Sequence, residues 1–315
     1  MNQNHVLVLG GSYFIGRCVT EALAAAGYTV YTLNRGTKPK VHEAVHEIIC
    51  DRNDAAAMKA ALAGHTFAHV IDISGLNRAQ AQNLTGALRA EHLQSFIFLS
   101  SSAVYAMTPE SPAPTPIPET APLGPNTYWD AYGTDKIQAE AHYQSWAPCP
   151  LTILRPPYVY GEYNYARRES WVFRHLQTGR PILLPAKNSQ LQFIYVRDLA
   201  RLIVAILQQP QPGIYNVGSP RPVTMREWLH TCGKAANQTP LIVPCTLPEA
   251  RRYFPFHDYD NVLDVSSIHA LYNIEETPFE EGLRQAYAWY LKHQGEIEFN
   301  PAMDEIENQY LSECL

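Results

Sequence analysis

An α/β fold built on a doubly wound parallel sheet is the architecture this chain predicts, and three observations carry that prediction. Short apolar runs of strand type alternate with helical periodicity from His5 to about Arg155. A glycine-rich turn, Gly10-Gly11-Ser12-Tyr13-Phe14-Ile15-Gly16, follows the first run and opens a helix. Beyond Arg155 the pattern loosens into shorter mixed pieces. With 315 residues and 46% hydrophobic content, the chain is long enough for a full core and a further lobe.

His5-Val6-Leu7-Val8-Leu9 reads as the first strand, and Phe14 to Ala26 as a helix with apolar positions at Ile15, Val19, Leu23 and Ala26. Gly27 stops that helix, and Tyr28 to Leu33 completes a strand–turn–helix–strand unit. Gly10 and Gly11 allow a tight turn, Gly16 lets the helix approach the strand, and bare N–H groups at the helix start suit a pyrophosphate. Further strands are expected at Glu47–Cys50, His69–Ile73, Ser95–Leu99 and Leu151–Leu154. Helices are expected near Ala55–Leu62 and Arg78–Leu93, and over a stretch that carries Tyr132 and Lys136 to about Trp146. Six βα steps at this spacing predict a Rossmann-type sheet with helices on both faces. The proline-rich stretch from Thr108 to Pro125 reads as a surface loop. Past Arg155, helices are expected near Arg168–Gln177, Val196–Gln208, Thr224–Ala235 and Pro278–His293, with a strand at Ile214–Val217. Residues 1–155, with returning segments near 193–218, are thus expected to form a dinucleotide-binding domain. Residues 156–315 would form a smaller mixed C-terminal substrate lobe.

Composition narrows the function. No run reaches membrane-span length, and the chain passes from Met1-Asn2-Gln3-Asn4 directly into a strand, so neither membrane anchor nor signal peptide is expected. The six cysteines show no C-x-x-C pairing, which points to a reduced, cytoplasmic protein without a bound metal. The twelve histidines have no metal-ligand spacing. A net charge of −6 argues against a nucleic-acid partner.

Tyr132 and Lys136 stand four residues apart, so a helix places a phenol and an ammonium on one face. A free phenol titrates near pH ~10, and a fixed cation beside it favours the phenolate and brings it toward the working range. A serine run, Ser100-Ser101-Ser102, ends the fifth strand. Gly10, Ser101 and Arg155 all lie just past strand ends, where an open α/β sheet has its ligand crevice.

These pieces together resemble the extended short-chain dehydrogenase/reductases, the NAD(P)-dependent epimerase/dehydratase family. The matching segments are GGSYFIG at Gly10–Gly16, FIFLSSSAVYA at Phe96–Ala106, YGTDK at Tyr132–Lys136, LRPPYVYG at Leu154–Gly161 and FIYVRDLA at Phe193–Ala200. YNVGSPRPVT at Tyr215–Thr224 and FEEGLRQAYAWY at Phe279–Tyr290 extend the likeness over nearly the full length. The resemblance implies an NAD(P)-dependent oxidoreductase or epimerase acting on a hydroxyl or keto carbon of a sugar or sugar-nucleotide. It assigns Tyr132 as acid–base residue, Lys136 to the nicotinamide ribose, and Ser101, four residues before Tyr105, to the substrate oxygen. Cofactor contacts are implied at Gly10, Gly11, Ser12, Tyr13, Phe14, Ile15, Gly16, Asn34, Arg35, Asp51, Arg52, Ser74, Pro157 and Val159, with Asp51-Arg52 at the adenine.

The second strand ends in Leu33-Asn34-Arg35-Gly36-Thr37-Lys38, without the acid that binds an NAD ribose. Arg35 suits a 2′-phosphate, so NADP is expected ahead of NAD. The helices near Arg78–Leu93 and Ala131–Trp146 match those that pair subunits in many family members, which implies a homodimer. Tyr13 stands where the family's glycine motif has its middle glycine, a trait shared with the branch that includes the chloroplast stem-loop-binding proteins. Ser102-Ala103 stand where dehydratases carry Asp-Glu, so dehydration is not expected. Leu191 replaces the arginine that binds the diphosphate in many sugar-nucleotide members. A dinucleotide-sensing or RNA-binding protein on the same fold is the alternative that these departures leave open.

Overall fold

The computed structural model describes residues 4–273 and 275–314, and the chain divides into two compact units. The first comprises Met1–Pro157, Val196–Pro220 and Leu263–Glu275; the second comprises Tyr158–Tyr195, Arg221–Val262 and Glu276–Leu315.

The strands, in chain order, are β1 His5–Leu9, β2 Thr29–Asn34, β3 His46–Ile49, β4 His69–Asp72, β5 Ser95–Leu99, β6 Leu151–Arg155, β7 Tyr158–Tyr160, β8 Ile182–Pro185, β9 Gln190–Leu191, β10 Phe193–Tyr195, β11 Gly213–Asn216, β12 Val223–Thr224 and β13 Ile242–Cys245. The helices are α1 Phe14–Ala25, α2 Ala55–Leu62, α3 Arg78–Thr85, α4 Asp130–Trp146, α5 Arg168–Thr178, α6 Val196–Gln208, α7 Met225–Ala236, α8 Ser266–Leu271, α9 Phe279–His293 and α10 Pro301–Cys314.

In the first unit, seven strands make one sheet in the order β3-β2-β1-β4-β5-β6-β11. Every pairing in it is parallel. Val6 to Leu9 and Phe96 to Phe98 are fully buried, because helices cover both faces at the middle of the sheet, whereas His46 and Ile49 of the edge strand β3 are exposed. The chain runs outward from β1 to β3, then resumes on the other side of β1 at β4. That reversal makes a crevice at the carboxyl ends of β1 and β4, where open α/β sheets bind ligands.

Two local outcomes differ from the periodicity. The helix expected near Arg78–Leu93 ends at Thr85, and the chain continues through a 3-10 turn at Ala90–His92. Leu88 and Leu93 still pack on the core, so an apolar repeat that looks helical is met by a turn. The proline-rich loop is pinned by bridges between Tyr105 and Leu123, Met107 and Asn126, and Ile117 and Leu263.

In the second unit, three two-stranded pairs form: β7 with β10, β8 with β13 and β9 with β12. Thr224 caps α7 through a reciprocal box with Glu227, which supplies the orphan N–H groups of the first turn with acceptors. Phe193, Trp228, Phe254 and Phe256 pack ring against ring at its centre. Helix α10, which periodicity did not reveal, is tied to α5 by Arg174–Asp304 and by His175 with Glu307.

Candidate active site

The glycine turn leaves β1 at Gly10, whose φ of 79° is a left-handed conformation that disfavours a side chain. A Cβ there would lie 2.7 Å from the Ser74 Cβ, so the turn after β1 and the turn after β4 touch across the crevice. A Cβ at Gly16 would lie 1.9 Å from the Gly10 carbonyl oxygen, which leaves only hydrogen between helix and turn. Gly11 is buried, while Ser12, Tyr13 and Ile15 are half-buried. Helix α1 begins without a side-chain cap and without an acid in its first turn. The positive end of its dipole therefore meets no acid of its own first turn and suits an anion. Phe14 opens the helix at φ 45°, a strained value for a residue with a side chain. The Tyr13 ring lies 4.8 Å from the Lys38 ammonium.

At the end of β2, Asn34 Oδ1 accepts the Gly36 N–H at 2.7 Å, while its Nδ2 donates to Glu47 at 3.1 Å. Arg35 and Lys38 are exposed. Glu47 is an acid that the linear reading of β2 did not find, because strand register brings it there from β3.

Asp51 is exposed and accepts the backbone and side-chain N–H groups of Asn53. Arg52, which the family likeness put beside Asp51 at the adenine, turns instead into the unit. It makes a bidentate pair with Asp72 at 2.7 and 2.9 Å and donates to Ser74 Oγ at 2.8 Å. Asp72 is fully buried and also accepts from Gly75 N at 2.8 Å and Tyr143 OH at 2.6 Å. Burial would raise this carboxyl, but the Arg52 guanidinium and the Tyr143 hydroxyl outweigh it and hold it below the usual range. An acid inside an otherwise apolar strand was the signal for Asp72.

Lys136, in the second turn of α4, is only 4% exposed. Its ammonium donates to the Gly75 carbonyl at 2.6 Å and the Leu99 carbonyl at 2.7 Å, and so spans the ends of β4 and β5. Burial lowers its pKa from 10.5 to about 8, the Asp72 charge offsetting part of that fall. The ammonium sits 6.0 Å from the Tyr132 ring centre, and Tyr132 is 40% exposed. An accessible phenol thus stands beside a buried cation.

The serine run separates into distinct roles. Ser100 is buried and donates to Glu140, and Ser102 is buried with its N–H on the Pro156 carbonyl. Ser101 is half-buried and caps the 3-10 turn Ser102–Val104 by accepting the Ala103 N–H. A Cβ at Gly133 would lie 2.2 Å from the Ala103 carbonyl oxygen, so the turn that Ser101 caps abuts the α4 turn that carries Tyr132. Arg155 does not line an open crevice. It is buried and pairs with Glu140 at 2.5 and 3.0 Å, while also donating to Tyr105 OH at 3.2 Å. Pro157 closes a segment of the first unit, and Val159 is buried in β7 of the second.

The NAD dependent epimerase/dehydratase family model matches residues 6–218. The chloroplast stem-loop binding protein of 41 kDa b of Arabidopsis thaliana is 27% identical over 91% of this chain and 79% of its own length. The N-acetyl-alpha-D-glucosaminyl-diphospho-ditrans,octacis-undecaprenol 4-epimerase of Escherichia coli O157:H7 is 28% identical over 69% of this chain and 67% of its own. Among solved structures, the UDP-glucose 4-epimerase of Thermus thermophilus, in complex with NAD, superposes with a TM-score of 0.73. That match covers 91% of this chain and 99% of the other at 24% identity, a likeness of fold.

Proposed function

This chain belongs to the NAD dependent epimerase/dehydratase family, and from that premise we propose that it is an NAD(P)-dependent oxidoreductase or epimerase. Its substrate would be a hydroxyl or keto carbon of a sugar or sugar-nucleotide. The observation that carries this reading is the accessible Tyr132 phenol beside the buried Lys136 ammonium, on a turn packed against the one capped by Ser101.

The residues fit a dinucleotide. The uncapped start of α1 and the cradle at Gly10 and Gly16, which a Cβ would fill, suit a pyrophosphate. When bound, the nicotinamide supplies hydride transfer to or from a carbon. Tyr132 then takes the proton of the substrate hydroxyl, or returns one to the carbonyl. Lys136 stabilises the phenolate and contacts the ribose, and Ser101 donates to the substrate oxygen as charge develops there. Ser102-Ala103, where the dehydratases carry an acid pair, make dehydration the wrong reaction for this site. The sugar class is supported by the substrates in the names of a related epimerase and a related dehydratase.

The end of β2 bears on the choice of dinucleotide in two opposing ways. The exposed Arg35 suits a 2′-phosphate, whereas Glu47, held on Asn34, brings a carboxylate nearby. The reading takes NADP(H), and Arg35→Ala tests it by the ratio of NADP(H) to NAD(H) affinity. An unchanged ratio makes Arg35 a surface charge.

A second reading, an RNA-binding or dinucleotide-sensing protein, is favoured by the name of the Arabidopsis relative. The test that separates the two is Tyr132→Phe on a substrate found by metabolite screening. Turnover should vanish while the dinucleotide stays bound, because the phenol proton is used only in the chemical step. Full turnover in Tyr132→Phe would end the assignment of Tyr132 as the acid–base residue, and a parent chain that turns over none of the screened metabolites would favour the second reading.

A further inference from the structure

Lys136 donates to groups that carry no full charge, yet an ion pair lies one residue behind one of them. Its ammonium reaches the Gly75 carbonyl at 2.6 Å and the Leu99 carbonyl at 2.7 Å. Gly75 also faces the other way, its N–H donating to Asp72 Oδ1 at 2.8 Å. A single glycine thus joins the ammonium to a carboxylate. A Cβ at Gly75 would lie 2.2 Å from Asp72 Oδ2 and 3.0 Å from the Phe98 ring, so only glycine lets the acid and the turn close up this far. Strand register sets Asp72 of β4 beside Phe98 of β5. The Phe98 ring lies 4.8 Å from the Lys136 ammonium and 4.9 Å from the Tyr143 ring. Asp72 and Lys136 are both buried, so protein rather than water fills the space between them and screens their attraction weakly.

The carboxylate is built to stay ionised. Arg52 donates to it at 2.7 and 2.9 Å, the Gly75 N–H at 2.8 Å and the Tyr143 hydroxyl at 2.6 Å. A proton on Asp72 would have to displace one of these donors. Burial pushes Lys136 toward its neutral form; Asp72 and Glu140 work against that, while the Arg52 charge adds to it. Glu140 is itself matched by Arg155, and the Tyr132 phenol faces the ammonium with its ring centre 6.0 Å away. The two members of the Arg52–Asp72 pair therefore act on Lys136 with opposite sign.

We propose that Asp72 is a positioning residue for the reacting centre. Through Gly75 and through its buried charge it holds the Lys136 ammonium in place and protonated, and Arg52 sets how much of that charge Lys136 feels. The proposal rests on the reading of Lys136 as the partner of Tyr132 and of the ribose, and adds the acid that keeps it fit for both. The buried pair is scaffold whose field reaches the site.

The test is the titration of Lys136, followed by NMR on the full chain with isotope-labelled lysine and assigned by the resonance lost in Lys136→Met. The midpoint is expected at about 8 in the parent. Asp72→Asn should move it down by about one pH unit or more, and Arg52→Gln should move it up. The double variant removes both charges at once and should return the midpoint toward the parent. Together with Arg52→Gln, it decides the matter where Asp72→Asn alone, which leaves Arg52 buried and unpaired, fails to fold. NADPH affinity, read by fluorescence over the same pH range, should weaken at a lower pH in Asp72→Asn and at a higher pH in Arg52→Gln. An unmoved midpoint in either single variant, or a shift of both in one direction, overturns the proposal, because a merely structural pair would not act with two signs. Opposite shifts of Lys136 in a chain that binds neither NAD(H) nor NADP(H) support the proposal and count against the cofactor reading alone.

Discussion

Arg52 and Arg155 in the first unit contrast with Arg168 and Arg251 in the second. The first two are paired in the fold: Arg52 with Asp72 and Arg155 with Glu140, each through two hydrogen bonds. Their partners are in turn saturated, Asp72 by Tyr143 and Gly75, Glu140 by Ser100. Arg168 lies over the Tyr158 and Phe256 rings, and Arg251 is exposed. Charges of the first kind belong to the scaffold, since the protein already satisfies them. Charges of the second kind are held by ring faces and by solvent instead. The same side chain is therefore part of the scaffold where an acid was built beside it and a replaceable charge where none was.

The strongest way to break that comparison is to remove a scaffold partner. Glu140→Ala leaves Arg155 buried and unpaired and should destabilise the fold by about 3–5 kcal/mol. Arg251→Gln, by contrast, should change stability by no more than about 0.5 kcal/mol. Chemical denaturation measures both, and similar losses in the two variants would erase the distinction.

A smaller effect is expected at the reacting centre. Ser101→Ala removes the accessible hydroxyl of the serine run and leaves the saturated Ser100–Glu140 contact intact. It should cost on the order of a hundredfold in turnover with little change in melting temperature. Loss of stability without loss of turnover would put Ser101 with the scaffold.

The mildest test is pH. Lys136 is cationic below its pKa of about 8 and neutral above it. Dinucleotide affinity that uses this ammonium should weaken as pH rises through about 8, and Lys136→Met should flatten the curve. Stability moves the other way. Between about 8 and the unperturbed 10.5, the unfolded chain holds a proton that the folded one has released. This group therefore adds stability as pH rises across that window. An affinity curve that is flat through pH 8 in the parent would remove Lys136 from the cofactor's contacts.

The fold was legible because its signals are local and periodic. Fully buried parallel strands must be apolar throughout, as in Val6-Leu7-Val8-Leu9, and a tight turn into a helix needs glycine where a Cβ would strike backbone, as at Gly16. Tyr132 and Lys136 were legible for the same reason, since four residues on a helix fix a shared face. The C-terminal helix α10 was not, because its buried face includes Glu307, which only the contact with His175 and Arg180 makes suitable for the interior.

By itself, then, the sequence determined the alternating α/β order, the glycine turn, the Tyr132–Lys136 pair and the family likeness, all of which depend on spacing along one chain. Tertiary structure alone decided what each charge is for. It turned Arg52 from the adenine position to Asp72, took Arg155 out of the crevice onto Glu140, and brought Glu47 to Asn34 across a strand. It also set Arg168 over the rings of Tyr158 and Phe256. The physical reason is that a charge's role is set by its dielectric surroundings and its nearest partner, and the hydrogen-bonded partners here lie 13 to 20 positions apart in sequence.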